Sequence, residues 1–63
     1  MRTLKAGLHF RSYQGTLLVL GVEIELLYGY NEIRVVYSVD WQTVVQNRSL
    51  GEFLEVVEKM EAY

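Results

Sequence analysis

The residues that could perform hydrolytic chemistry in this chain are few and scattered. A nucleophile, a base and an orienting acid would have to be drawn from Ser12, Ser38, Ser49, His9 and Asp40 or a glutamate. Ser49 is better explained as a helix N-cap, because a helical pattern starts directly after it. His9 lies on the polar side of an alternating segment, where a lone histidine is usually solvated. The sequence therefore predicts no catalytic residue.

Metal and cofactor chemistry find no support either. The chain has no cysteine and one histidine, which excludes thiolate sites and histidine clusters. Glu23 and Glu25 project from the same side of a strand and could imitate an acid–base pair, but a solvated face explains them better. No phosphate-binding loop or dinucleotide motif occurs. We expect no cofactor and no metal.

Aromatic and basic side chains give the most serious functional candidates. They form a candidate interaction surface made of Arg11, Tyr13, Tyr28, Tyr30, Arg34 and Trp41. Tyrosines are enriched at protein interfaces, whereas stacking aromatics with basic residues also suit single-stranded nucleic acids. The sequence pI near 5.2 argues against nucleic acid. We expect a protein partner, with nucleic acid as the alternative.

The composition supports association. Sixty-three residues bury little surface, yet 51% are hydrophobic, including five tyrosines, two phenylalanines and one tryptophan. A core so small cannot hide all of these side chains, so we expect a homo-oligomer or an exposed aromatic face. A small-molecule site at an oligomer interface is a further alternative. The longest apolar run is far too short to span a membrane, and no signal-peptide pattern is present. The sequence therefore predicts a cytoplasmic protein that does not contact membranes.

The elements that position these residues follow from hydrophobic periodicity. A period of two before residue 47 predicts strands over residues 4–11, 16–27, 33–39 and 41–46, with a turn at 28–32. Gly21 lies inside the long second strand and predicts a bulge or bend there. Apolar residues expected to face inward form the predicted core: Leu8, Phe10, Leu18, Leu20, Val22, Ile24, Val35, Tyr37, Val45, Leu50, Phe53, Leu54 and Val57.

A helix is predicted over about residues 50–61. Ser49 precedes Glu52 by three residues, which is the spacing of a capping box. The residues that follow place one apolar stripe along a helix, consisting of Leu50, Phe53, Leu54, Val57 and Met60. An amphipathic helix of this kind has to bury one face, either on its own sheet or on a partner.

Four segments carry a partial resemblance to a known pattern. They are Phe10–Gly15, Val19–Gly21, Val35–Tyr37 and Arg48–Val57. They resemble the blocks Y-x-x-Y-K-G, V-x-G, V-V-Y and R-P-L-x-x-F-L-E-x-V of a family of short bacterial domains of unknown function. Gln14 replaces the lysine and Ser49 the proline, and a polar stretch after the second strand is missing. The resemblance implies a fold and a bacterial or mobile-element setting; it implies no activity.

Taken together, the sequence predicts one domain over residues 1–63. Its fold class is mainly β, as a small SH3-like antiparallel barrel or a bent sheet of four to five strands with one C-terminal helix. The expected function is that of a non-catalytic protein-interaction or assembly module, and we expect the protein to form a homo-oligomer.

Overall fold

A long central hairpin determines the architecture. The computed structural model describes residues 4–63, and in it β2 (Gly15–Leu27) pairs antiparallel with β3 (Tyr30–Val39). Tyr28 and Gly29 connect the strands with φ angles of 48° and 85°. Positive φ at both positions is the signature of a type I′ turn, whose twist matches that of the flanking strands. The predicted turn is confirmed, although it is shorter than residues 28–32.

The remaining elements extend the hairpin into an open sheet with one helix. The strand order is β4-β3-β2-β1-β5, and every neighbouring pair is antiparallel. The fold class is confirmed as mainly β with one helix, and the sheet takes the open, bent form rather than a closed barrel. Residues 1–3 of the predicted domain lie outside the described residues. The additional elements are β1 (His9–Ser12), β4 (Gln46–Ser49), α1 (Leu50–Val57) and β5 (Glu61–Ala62).

A bulge in β2 confirms the irregularity predicted near Gly21. Val19 pairs with Tyr37 and Gly21 pairs with Val36, so Leu20 is one residue in excess. An extra residue reverses the side to which the following residues point. Side chains on one face of β2 are therefore odd-numbered before the bulge and even-numbered after it.

This change of phase corrects the predicted core. The buried residues are Leu17, Val19, Val35, Tyr37, Val39, Phe53 and Val57. Leu8, Phe10 and Leu50 pack against them as half-buried side chains, as predicted. The prediction was wrong for Leu18 and Leu20, since uninterrupted alternation assigned the wrong face to the first half of β2. It was also wrong for Val22 and Ile24, which lie on the core-facing side but are exposed. Val45 and Leu54 are also more than half exposed.

Helix α1 begins where its cap predicts and ends early. The Ser49 hydroxyl donates to the Glu52 carboxylate at 2.9 Å and accepts from the Glu52 N–H at 3.4 Å. The Glu52 carboxylate accepts hydrogen bonds from the Ser49 side chain and, second in effect, from the Ser49 backbone, and these lower the pKa of Glu52 from its ordinary 4.5. The helix ends at Val57 rather than near Glu61. No basic residue stabilises its negative C-terminal end, and Glu58 occupies the C-cap.

Two predicted strands are displaced along the chain. The first begins at His9 instead of residue 4, because Gly7 has a φ of 94° and breaks the extended backbone. The fourth strand occupies Gln46–Ser49 instead of residues 41–46. Residues 41–45 form a loop. Only Gln46–Ser49 pair with the outer edge of β3, opposite Arg34–Tyr37. Within residues 4–63, no helix has the length and apolar character needed to cross a bilayer.

Candidate interaction surface

The hairpin extends beyond the rest of the sheet. Strand β1 pairs with β2 over Gly15–Leu18, and β4 pairs with β3 only from Arg34 onward. In the described part of the chain, residues 21–33 therefore form strand pairs only within the β2–β3 hairpin, with no third strand beside them; we call this segment the distal hairpin. It gives the molecule an elongated shape of 39 × 29 × 19 Å. The other end of the molecule, around the β1–β2 turn, is called the proximal end.

One face of the distal hairpin is apolar and uncovered. Val22 lies opposite Val35 and Ile24 opposite Ile33, so the face continues the core-facing side of the sheet. It ends at Leu26, which lies opposite Asn31. We call Val22, Ile24, Leu26 and Ile33 the distal apolar face; their exposed fractions are 40%, 73%, 71% and 42%. Helix α1 lies on this same side of the sheet but packs over the proximal half, where the core residues are.

The opposite face of the distal hairpin is charged and internally paired. Arg34 is the centre of this cluster and lies opposite Glu23. Its Nη1 donates to the Glu32 carboxylate at 3.2 Å, and its Nε donates to the Asn47 side-chain oxygen at 2.9 Å. The Glu25 carboxylate forms an ion pair with the same Nε at 3.8 Å. Three glutamates surround this one arginine. The distal hairpin is thus an amphipathic ribbon with an acidic face and an apolar face.

One flank of helix α1 adds to the distal apolar face. Val56 lines a cleft with Trp41 and Gln14, which places that side of the helix toward the proximal end. Leu54 precedes Val56 by two residues, a rotation of about 200° around the helix axis. Leu54 therefore lies on the flank that faces the distal hairpin, where its exposed fraction is 54%.

The structure separates the six residues proposed from sequence into groups rather than bringing them together. Tyr28 and Tyr30 lie at the tip of the distal hairpin, whereas Tyr13 lies at the proximal end, in the β1–β2 turn. Strand β2 lies between them, and its thirteen residues span about 40 Å. Trp41 shares a cleft of about 360 Å³ with Tyr13. Arg34 lies on the acidic face, four residues along β3 from Tyr30.

Arg11 belongs to a fourth location, at the β1–β5 edge. Its guanidinium carbon lies 4.7 Å from the centre of the Tyr63 ring, a cation–π contact. The His9 ring lies 5.5 Å from the same ring, and the Tyr63 hydroxyl is 3.2 Å from Thr16 Oγ1. These contacts attach the C-terminal residue to β1. Arg11 and His9 therefore have a structural explanation within this fold.

The residues that could have formed a catalytic site also have local partners. Asp40 accepts from the Thr16 N–H at 2.8 Å and so closes the proximal end of the hairpin. Ser12 accepts from the Gln14 N–H at 3.2 Å within the β1–β2 turn. Ser49 caps α1. Among residues 4–63, no three histidine, aspartate or glutamate side chains converge to hold a metal ion.

Sequence reasoning placed Val22 and Ile24 in the core and so missed the distal apolar face as a surface. The sequence did contain a signal for an exposed apolar face, because one short helix cannot cover a strand as long as β2. An eight-residue helix is about 12 Å long and about 10 Å wide, far less than the length of β2.

Comparisons with protein-family models, with curated proteins and with solved structures found no match to this chain. The resemblance to short bacterial domains therefore stays a prediction.

Proposed function

We propose that this protein is a non-catalytic protein-interaction or assembly module that forms a homo-oligomer. The observation that carries the proposal is the distal apolar face, whose central residues Ile24 and Leu26 are 73% and 71% exposed. A two-stranded hairpin alone is marginally stable in water. An apolar side on such a hairpin is stabilised when another chain covers it.

The balance of buried and exposed side chains supports association. Among residues 4–63, fourteen large hydrophobic residues are exposed, whereas seven hydrophobic residues form the core. Single exposed hydrophobic residues are ordinary on protein surfaces, but a contiguous group on one face marks an interaction site. The distal apolar face is such a group, because Val22, Ile24 and Leu26 alternate along one side of β2 and Ile24 lies opposite Ile33.

Tyr28 supplies a second observation. It is the one non-glycine residue in the described part of the chain with positive φ, and 97% of it is exposed. A bulky residue in this conformation costs roughly 1–2 kcal/mol. Type I′ turns favour asparagine or glycine there, and no buried contact within the chain offsets the cost. Contact with a partner is a reason for a tyrosine at this position.

The alternative of nucleic-acid binding is less well supported. Arg34 is engaged by Glu32 and Asn47 and lies among acidic residues, which disfavours a phosphate nearby. Arg11 lies on a different part of the sheet, over Tyr63. A cytoplasmic location stays part of the proposal, since the chain has no cysteine and small secreted domains usually depend on disulfides.

Size-exclusion chromatography with light scattering tests the proposal. Measured from low to high micromolar concentration, the mass should rise above the 7.4 kDa of one chain. A mass that stays at 7.4 kDa throughout would refute homo-oligomerisation. Titration with single-stranded oligonucleotides at low salt tests the alternative, for which binding should weaken steeply as salt is added.

A further inference from the structure

We propose that two copies of this chain stack their distal apolar faces with their hairpins antiparallel, so that the Tyr28 tip of each copy contacts helix α1 of the other. The inference rests on the proposed function, because it specifies the partner and the geometry of the association. Three features of the described residues support it: the surface area, the position of the charges and the position of the helix.

The surface area matches a small dimer interface. A folded chain of 7.4 kDa is expected to expose about 4,200 Å², whereas this chain exposes 4698 Å². The excess is about 500 Å² per copy, or about 1,000 Å² for two copies, which reaches the lower limit for a specific interface. The radius of gyration is 11.9 Å, against about 10.6 Å for a compact domain of this length.

The charges favour stacking of faces over pairing of strand edges. Among residues 4–63, no strand pairs with the outer edge of β2 along the distal hairpin, so two copies could also form one continuous sheet. Antiparallel pairing around Ile24 would place Glu23 of one copy opposite Glu25 of the other, and like charges in that position are destabilising. Face stacking leaves these glutamates in water. In a two-fold dimer the same surface of each copy meets its counterpart, so it must complement itself. The distal apolar face has no charged residue, so stacking it on a second copy brings no like charges together.

The helix determines the orientation. Helix α1 lies on the same side of the sheet as the distal apolar face and is about 10 Å thick, which is also the spacing of two stacked sheets. A partner hairpin therefore occupies the same layer as the helix. With parallel hairpins, the helices of the two copies would collide at one end. With antiparallel hairpins, each helix lies beyond the tip of the partner, and Tyr28 reaches the flank that carries Leu54.

Cysteine cross-linking tests this geometry, because the chain has no native cysteine. The variants are Val22→Cys at one end of the distal apolar face and Leu26→Cys at the other, with Tyr13→Cys at the proximal end as a control. A short bismaleimide spans the gap of about 10 Å between stacked sheets. One variant carries a tag so that mixed dimers are recognised by mass. Circular dichroism checks that each variant folds.

The expected result is that a mixture of Val22→Cys and Leu26→Cys cross-links several-fold more than either variant alone, while Tyr13→Cys stays largely uncross-linked. Leu54→Cys should cross-link with Tyr28→Cys in the same way. Preferential self-cross-linking of Val22→Cys, or equal cross-linking of Tyr13→Cys, overturns the geometry. Absence of cross-links in a protein that light scattering shows to be dimeric also overturns it. A monomeric mass instead refutes the proposed function itself.

Discussion

Replacing Ile24 with threonine should weaken association strongly while changing the fold little. Threonine is β-branched and keeps the strand propensity of isoleucine, so the change acts mainly through lost apolar surface. Ile24 is 73% exposed in a single copy. About a quarter of its side chain therefore contributes to folding, and most of it stays available for an interface.

The exposed fraction sets the expected magnitude. Full burial of an isoleucine side chain stabilises by about 1.5–3 kcal/mol, so association can gain roughly 1–2 kcal/mol from Ile24 in each copy. Both copies lose this term in the variant, which gives roughly 2–4 kcal/mol per dimer. The dissociation constant should then rise by roughly 30-fold or more. The free energy of unfolding of the monomer should fall by less than about 1 kcal/mol.

Sedimentation equilibrium over a range of concentrations measures the association, and thermal unfolding of dilute protein measures the fold. Val44→Thr is the matched control, because Val44 is 68% exposed but lies in the β3–β4 loop. It should leave the dissociation constant within about twofold of the wild type, since surface changes outside an interface have small effects. Equal weakening by both substitutions, or no weakening by Ile24→Thr, would show that the distal apolar face is not the interface.

Two further predictions follow from the turn and the cap. Tyr28→Asn should raise the free energy of unfolding of the dilute monomer by about 1 kcal/mol, because asparagine adopts positive φ readily; the same variant should weaken the dimer in sedimentation. Glu52→Gln should lose stability relative to the wild type at neutral pH but not in acid, as measured by urea unfolding across pH. The pKa of Glu52 is lowered in the fold, so its contribution is present above the ordinary glutamate value and disappears as pH falls through the lowered one.

A specific experimental result would contradict each of these two predictions. If Tyr28→Asn leaves the monomer unchanged, the positive φ at Tyr28 costs nothing and its conformation gives no support for a binding role. In a Ser49→Ala background, the pH-dependent difference between Glu52 and glutamine should shrink, because the hydroxyl that lowers the pKa is gone. A difference that stays as large in that background would show that the Ser49 hydroxyl is not the main cause of the lowered pKa.

Local signals predicted the elements best. The capping box at Ser49 placed the start of α1 correctly, and the glycine and asparagine around Tyr30 placed the turn. Each of these features depends on residues within one turn of the chain. The end of α1 depends partly on the lack of a basic residue in its last turn and partly on the pairing of β5 with β1. The second is a contact between distant residues that no local pattern encodes.

Which face of β2 is buried could not be predicted for a related reason. Gly21 indicated a bulge, but the pattern does not say which residue is in excess, and a shift of one residue exchanges the two sides of the strand. Leu17 and Val19 were therefore left out of the predicted core although they are fully buried. The candidate surface was predicted only in part: Tyr28 was recognised as a tyrosine at a turn, but Val22 and Ile24 were taken as core, because coverage depends on how far the helix extends over the sheet.

In the proposed dimer, the bulge at Leu20 links folding to association. With strict alternation along β2, Val22 and Ile24 would lie on the opposite side from Leu17 and Val19, and the glutamates would share the core face. The extra residue brings all four apolar residues to one side and moves Glu23 and Glu25 to the other. Helix α1 covers the first half of this continuous apolar face and leaves the second half open. A chain too small for a second covering helix can complete its apolar layer with the hairpin of another copy, which has the thickness of the helix it replaces.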